Sequence, residues 1–539
     1  MSDEPEPLPE NKIKAAPQKT PRLFRNYISL IGAVIVVASF ASIVLLFLLE
    51  TIGAADNPYL GILTYLLLPG FLIFGLLIVL VGMLRERRKR RKRASSETAA
   101  YPTLDLNDPH GRRVFFVFLG FSFIFIFMTV FGSFRAYEYT ESVAFCGQTC
   151  HTPMKPEFVA FQASPHARLR CVDCHVGPGA GGYVRSKFAG VRQLFGVIFD
   201  NYSKPIMTPV HNMPAAQDTC ARCHWSEKYY GNQLRVFHHY GYDEKNTFGQ
   251  TRMLIKVGGG SPETGPVSGI HWHMNLANEV TYIATDERRQ VIPWVRSKDR
   301  QGNVTEYLAG DAQLSAAQIA QAPKRQMDCI DCHNRPAHAY LPPDVAVDNS
   351  LAAGKLDVSL PYLKRQAIEV LTKPYATSDE AQSSIASALD GFYRANYVDV
   401  YAQKGDSIKR TIAEVQRIYQ TYFFPEMKTN WQTHPNNIGH FYSQGCFRCH
   451  DGEHKSSTGK VITNDCNSCH TVLDQIAEVT PDAQPQGFRH PVALGDLSEL
   501  KCTVCHKSPG QFVHPVNLGD ISPFQCADCH TGKRMKRES

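Results

Sequence analysis

Apolar residues gather near the N-terminus of this chain. Ile28–Leu49 is almost uninterrupted, Leu60–Leu84 follows with Pro69 as a candidate kink, and Val114–Phe134 carries nine phenylalanines. Each run is long enough to cross a hydrocarbon layer about 30 Å thick. Farther along the pattern changes. Glu279–Thr285 and Val291–Arg296 alternate as strands do, with Arg300-Gln-Gly-Asn303 as a turn before Val304-Thr-Glu-Tyr307. Tyr362–Leu371, Asp379–Phe392 and Ser407–Tyr422 carry apolar positions at helical spacing, in a block free of Cys and His. Gly258-Gly-Gly-Ser261 lacks the G-K-[ST] of a phosphate loop and reads as a turn.

Charge orients the apolar runs. A polar leader of 26 residues precedes the first run and no small-residue cleavage site follows it, which reads as a retained signal anchor. Arg85–Arg93 holds eight basic residues and one acid, Glu86; that +7 equals the formal net charge of the whole chain. No aromatic residue accompanies the run as a nucleic-acid surface would require, so nucleic acid is not an expected partner. Positive residues stay inside. The loop after the second run is therefore expected in the cytoplasm, with Lys14, Lys19, Arg22 and Arg25 of the leader, and everything beyond Arg135 outside.

The chemistry lies in that outer part. All sixteen cysteines fall into eight pairs, each followed at once by histidine. Seven pairs read C-x-x-C-H: Cys171/Cys174/His175, Cys220/Cys223/His224, Cys329/Cys332/His333, Cys446/Cys449/His450, Cys466/Cys469/His470, Cys502/Cys505/His506 and Cys526/Cys529/His530. The first is one residue longer, Cys146-Gly-Gln-Thr-Cys150-His151. This is the attachment signature of c-type haem: two thiols add to two vinyl groups, and the next histidine meets the iron. Disulfides place no demand on the following residue, and zinc draws its other ligands from a second pair or a distant histidine. Histidine is 21 of 539 residues, so its presence at eight positions out of eight is not chance. Eight covalent haems are expected. There is no histidine before His110, so the apolar runs hold no histidine-ligated haem.

A six-coordinate haem needs a second axial ligand, and axial ligation is the main control of its potential. Twelve histidines lie outside the motifs in the outer region. His166, His211, His271, His273, His338, His434, His440, His454, His490 and His514 are the candidate distal ligands, with His238 and His239 as surplus. His434, His454, His490 and His514 each stand twelve residues before a motif, with Gly439, Gly459, Gly495 and Gly519 five residues after them. Phe488-x-His-Pro-Val-x-Leu-Gly-Asp and Phe512-x-His-Pro-Val-x-Leu-Gly-Asp are near copies. That repeat is the simplest source of one distal ligand per C-terminal haem, for its own haem or a neighbour's. No C-x-x-C-K motif is present.

Around the first two motifs the chain reads Phe145-Cys-Gly-Gln-Thr-Cys-His-Thr-Pro-Met-Lys-Pro-Glu157, then Ser164-Pro-His166, then Cys171-Val-Asp-Cys-His-Val176-Gly-Pro. This resembles the NapC/NirT family of membrane-anchored quinol dehydrogenases, specifically over Val114–His224. The resemblance implies a transmembrane helix leading into a multihaem domain, His166 as an axial ligand to another haem, and quinol oxidation at the first haem. It leaves Met154 and His151 as alternative iron ligands there. The family's quinol-site lysine corresponds to Lys187, twelve residues after His175. Lys187 lies in Tyr183–Asn201, where Val184, Phe188, Val191, Phe195 and Ile198 form one face, with Arg185 and Arg192 as companion cations; such a helix suits a membrane interface. The family's carboxylate is missing at Gln193-Leu194, which leaves Glu157 or Asp200 as substitutes. The longer architecture, including Cys220-Ala-Arg-Cys-His-Trp225, is similar to inner-membrane multihaem cytochromes of metal-reducing, electrode-respiring bacteria.

The expected fold is three N-terminal transmembrane helices followed by an extracytoplasmic, loop- and helix-rich multihaem region with a small β-rich insertion. Its expected parts are a cytoplasmic tail (1–26), a transmembrane hairpin (27–84), a basic cytoplasmic loop (85–113) and a third span (114–135). Beyond it come a three-haem module (136–234), a β-rich insertion (235–325), the fourth haem (326–344), a helical block (345–430) and a four-haem repeat (431–539). The expected activity is oxidation of membrane quinol, menaquinol in particular, with electrons passed to periplasmic c-type cytochromes in anaerobic or extracellular respiration. An octahaem reductase of a small nitrogen or sulfur substrate, and a passive conduit in a larger respiratory complex, are the alternatives. The expected location is the inner membrane, multi-pass and N-terminus inside, as a homo- or hetero-oligomer.

Overall fold

The computed structural model describes residues 26–51, 64, 67–93, 106–149, 151–177, 179–210, 213–225, 231–258, 269–274, 278–299, 301–310, 314–476, 506–508 and 511–512. The chain divides into two units, Met1–Phe145 and Cys146–Ser539.

The first unit is helical. α1 (Tyr27–Thr51) and α2 (Leu68–Arg93) run antiparallel. Small residues let their backbones close up: a Cβ on Gly32 would lie 2.7 Å from the Gly75 carbonyl oxygen and from the Val79 nitrogen. Ser29 donates through Oγ to the Val79 carbonyl (3.2 Å) and Asn26 through Nδ2 to that of Gly82 (3.3 Å). Close small-residue packing with interhelical hydrogen bonds joins helices where lipid, not water, surrounds them. Leu30, Val34, Val37, Phe71, Phe74 and Leu77 stay exposed, and both Tyr27–Leu48 and Leu68–Lys89 are apolar enough to cross a membrane. The basic run Arg85–Arg93 continues α2 as helix. Arg and Lys are good helix formers, and cations in a last turn complement the helix dipole. α3 (Pro109–Thr140) contains the third apolar run. Asp108 caps it by accepting from Gly111 N (2.8 Å), and Phe131 meets Phe47 of α1 edge-on at 5.2 Å.

The second unit combines haem-motif turns, three sheets, one of them a short two-stranded pair, and a helical block. α4 (His151–Gln162) and α5 (Gly179–Ile198) come first. β1 (Gln233–Tyr240) and β2 (Phe248–Ile255) form a hairpin. β3 (Glu279–Ile283), β4 (Trp294–Lys298), β5 (Val304–Leu308) and β6 (Arg325–Gln326) form an antiparallel sheet in the order β5-β4-β3-β6. Its buried face carries Val280, Tyr282, Val295 and Tyr307, joined by Ile292. The helical block holds α6 (Pro343–Ala352), α7 (Leu363–Thr372), α8 (Ser378–Asn396) and α9 (Gly405–Tyr422). Val347, Leu363, Leu371, Ile385, Leu389 and Val415 form its sealed core.

The sheets do not make one separate insertion. β2 pairs on its far side with β7 (His470–Ile476), which begins at the sixth motif's histidine, with Ile255 opposite His470. At the other end of the hairpin the buried Asn246, at φ 48°, donates to the carbonyls of Val358 (2.9 Å) and Leu360 (2.8 Å) and accepts from Lys364 N (2.9 Å). The hairpin thus ties the helical block to the sixth motif.

Candidate functional site

Each described motif is built on a single tight turn. Cys171–His175 and Cys329–Cys332 are one helical turn each, and Cys220–Arg222, Gly445–Arg448 and Cys466–Ser468 are 3-10 turns. The motif histidine's N–H closes the turn on the first cysteine's carbonyl: 2.8 Å at His224, 2.8 Å at His333 and 3.0 Å at His450. Residues i, i+3 and i+4 of a helical turn share a face, so both thiols and the imidazole are presented together. The first motif has one residue more, and Phe145–Thr149 is a π turn, the widening that an inserted residue demands.

The motifs follow one another in space in sequence order. These thiols become thioethers once haem is attached, so their perturbations matter here as a map of proximity. A hydrogen bond from Cys146 pulls Cys171 down to about 7. Burial raises Cys174, and the charges at Cys220 and Cys223 add to it. Burial and then Cys220 raise Cys329. Burial and then Cys446 push Cys332 up to about 11, and the same two causes push Cys469 up to about 11. Motifs one to six therefore form an unbroken series of neighbours.

Cys223 is expected to attach the third haem. It is exposed, within the exposed run 221–225. Locally, the third motif sits on a three-residue turn, Cys220–Arg222, preceded by the four-residue helix Ala216–Thr219. The C-x-x-C-H spacing fixes which residues can attach haem and carries no information on how deeply they lie.

Two imidazoles bound to opposite sides of one iron, at about 2 Å each, have ring centres about 6 Å apart. Five motif histidines face a second histidine at that separation. His175 faces His338 at 6.1 Å, His224 faces His166 at 6.1 Å and His333 faces His271 at 6.3 Å. His450 faces His273 at 5.7 Å, and His470 faces His440 at 6.1 Å. Several rings are oriented through Nδ1, which leaves Nε2 for a metal. His338 Nδ1 bonds the Glu157 carbonyl (2.9 Å), His166 that of Pro336 (3.2 Å), His273 that of Ile270 (2.8 Å) and His450 that of Thr463 (2.7 Å). Burial, the largest cause, holds His175, His271, His273, His333, His338, His450 and His470 below the ordinary imidazole value. They are neutral near pH 7, as metal ligands must be. The residues fit bis-histidine haem at motifs two to six.

Other candidates fall elsewhere. His454, expected as a distal ligand, has Nδ1 3.0 Å from the Asp451 carboxylate and Nε2 2.8 Å from the Ile292 carbonyl. Both partners are acceptor oxygens, so each ring nitrogen already has a hydrogen-bond partner within the fold. His434 is buried, with Nδ1 3.1 Å from Thr208 Oγ1 and its ring stacked on Tyr340; no motif histidine faces it among the described residues. Glu157 is not an open proton acceptor. Burial alone would raise its carboxyl, but Arg335, His338 and His434 together hold it below its ordinary value. Arg335 reaches it at 3.1 Å and His338 Nδ1 at 3.2 Å. Asp200 follows α5 and pairs with Lys204 at 3.1 Å. Lys187 lies on α5 with its ammonium 4.6 Å from the Tyr183 ring centre. Met154 is half-buried on α4. Cys150, His211, His490, His514, Cys502, Cys505, Cys526, Cys529 and His530 lie outside the described residues, as does the side chain of His151; His506 begins the short strand β8 (His506–Ser508).

Two buried groups had no signature in the sequence. Asp331, inside the fourth motif, accepts from Tyr282 OH (2.7 Å), Arg289 (3.2 Å) and Arg325 (2.8 Å). Arg448, inside the fifth, donates to the Asp331 carbonyl at 2.7 Å.

Residues 109–233 match the NapC/NirT cytochrome c family, N-terminal region, and residues 440–531 match Cytochrome c3. The chain is 45% identical over 496 residues to Cytochrome c-type protein ImcH of Geobacter sulfurreducens, across 92% of this chain and 97% of that relative. The chain belongs to the NapC/NirT cytochromes. No solved structure matches it. As a membrane multihaem c-type cytochrome of the NapC/NirT type it is an electron-transport protein, with covalent haem c as its cofactor. This NapC/NirT cytochrome carries most of its motifs, from Cys329 onward, outside the family's N-terminal region.

Proposed function

We propose that this cytochrome oxidises membrane quinol, menaquinol by our reading, and passes the electrons through eight haems to periplasmic c-type cytochromes. The observation that carries the reading is the unbroken series of motifs one to six with a second imidazole at each of motifs two to six. Haem c supplies reversible one-electron steps when bound. A second imidazole at each of these motifs would fill the coordination position that a reductase would keep open for its nitrogen or sulfur substrate.

The chain's own residues have distinct parts in this account. On α5, Val184, Phe188, Val191, Phe195 and Ile198 are exposed and apolar, the face expected of a helix lying in the lipid headgroup region. Lys187 on that helix hydrogen-bonds a quinol oxygen and orients it. The quinol loses two electrons, singly, and two protons. Asp200, exposed beyond the end of α5, takes a proton and returns it to solvent; Glu157, held by Arg335, does not. His151 or Met154 binds the first iron. α3 is read as the third span, which places the N-terminus in the cytoplasm and all eight motifs outside.

Anaerobic mixing of the full-length protein with a menaquinol analogue tests this. Haem absorbance should shift to the reduced form, and Lys187→Ala should slow that step about tenfold or more, equivalent to losing one charged hydrogen bond of about 1.5 kcal/mol, with all haems still attached. A Lys187→Ala rate equal to wild type removes the lysine from the site.

A further inference from the structure

Ile270–Met274 is a short 3-10 turn carrying His271 and His273 on either side of Trp272. Successive residues in such a turn point about 120° apart, so residues i and i+2 face different directions and one iron cannot use both. The His271 ring faces His333 of the fourth motif at 6.3 Å, nearly parallel at 14°. The His273 ring faces His450 of the fifth motif at 5.7 Å and 84°. We propose that this single turn supplies the sixth ligand to two different haem irons, and so fastens the fourth and fifth haems into one unit. The inference rests on the motifs being haem sites and not on quinol being the electron donor.

The turn is held in place by its own backbone. Ile270 N donates to the Lys256 carbonyl (2.9 Å) and His271 N to that of Val257 (3.1 Å), so it hangs from the end of β2. Asn278 Nδ2 donates to the Trp272 carbonyl at 3.0 Å. Gly269 leads into the turn at φ +77°, and a Cβ there would lie 2.4 Å from the Lys256 carbonyl oxygen. No other residue fits this approach without moving the turn.

A second connection joins the same two motifs through their cysteine-bearing turns. Arg448 lies between Cys446 and Cys449, and its guanidinium donates to the Asp331 carbonyl (2.7 Å) between Cys329 and Cys332, and to the Arg289 carbonyl (2.8 Å). Asn437 Nδ2 donates to the same Asp331 carbonyl at 3.0 Å. The attachment turns and the distal ligands of this pair of motifs are thus linked independently.

The test uses full-length holoprotein, with haem number checked by intact mass. Electron paramagnetic resonance of the oxidised protein counts high-spin haems. His271→Ala and His273→Ala should each convert one low-spin haem to high spin, and the double variant two. Gly269→Val, which displaces the turn, should disturb both haems in a single substitution. Should the alanine variants fail to mature, His271→Met and His273→Met keep a sixth ligand, and each should raise the potential of one haem in a redox titration, because methionine ligation raises it. No spin-state or potential change in either single variant, or a change confined to the same haem in both, overturns the proposal. Failure of quinol to reduce the protein would leave these counts untouched, so the two readings fail separately.

Discussion

His440 and His454 lie close together in the chain, and their substitution should have opposite consequences. The His440 ring faces His470 at 6.1 Å, the separation of two axial imidazoles, whereas both nitrogens of His454 are occupied. His440→Ala should leave all haems attached and convert the sixth from low to high spin. His454→Ala should leave every spin state unchanged and destabilise the fold. It removes a bond to the Asp451 carboxylate, and it strips the buried Ile292 carbonyl of its donor. A hydrogen bond to a charged group contributes about 1.5–3 kcal/mol and an orphaned buried acceptor costs about 1–3 kcal/mol, so the loss is about 3 kcal/mol or more. Paramagnetic resonance reports spin state, and denaturant unfolding followed by far-ultraviolet circular dichroism reports stability. High-spin haem in His454→Ala with unaltered stability would refute the reasoning and restore the twelve-residue repeat as the source of ligands.

His434 gives a pH dependence. Burial, the largest cause, and then Arg335 hold its imidazole at about 4, down from 6.5. Between those values the unfolded chain takes up a proton that the folded chain refuses. Stability therefore falls as pH drops from 6.5 towards 4, by up to about 3 kcal/mol, and His434→Gln should flatten the unfolding profile over that window. Arg335→Ala strands the Glu157 carboxylate beside His338. Removing one partner of a buried pair costs about 3–5 kcal/mol, and a lower unfolding midpoint, with an altered potential for the second haem in redox titration, is the expected result.

What could be read from the sequence divides along physical lines. Covalent attachment forces two thiols and an imidazole into one turn, so the motifs are local and visible. Their depth is not: Cys223 is exposed, while its counterpart Cys174 in the preceding motif is half-buried. The sixth ligand only has to arrive at the iron, from any distance along the chain. His338 reaches His175, and His271 reaches His333, through tertiary packing that no spacing encodes. The His-x4-Gly repeat is genuine, but in its first two copies it records a turn: Gly439 and Gly459 have φ of +80° and +81°. The strands at Glu279–Ile283 and Val304–Leu308 occupy alternating stretches, although Val280–Ile283 is buried on both faces and only Val304–Leu308 keeps an exposed one. β1 and β2 fall in the stretch expected to be β-rich, but they show no alternation that marks them singly, because they lack a buried face of their own; every residue of β2 is half-exposed. β7 follows directly from a motif histidine, where haem chemistry masks the strand signal. Arg85–Arg93, expected in the connection between the second and third apolar runs, is helical because its residues favour helix.

The central claim is that membrane quinol is the electron donor and that the motifs conduct in sequence order. Rapid anaerobic mixing of menaquinol-loaded vesicles holding the full-length protein, with haem absorbance and freeze-quench paramagnetic resonance as readouts, tests it most directly. The account predicts that quinol reduces the wild-type haems, and that His440→Ala, which alters the sixth, leaves reduction of the second and third at the wild-type rate. Haems that stay oxidised in quinol-loaded vesicles yet are reduced at once by dithionite would contradict it.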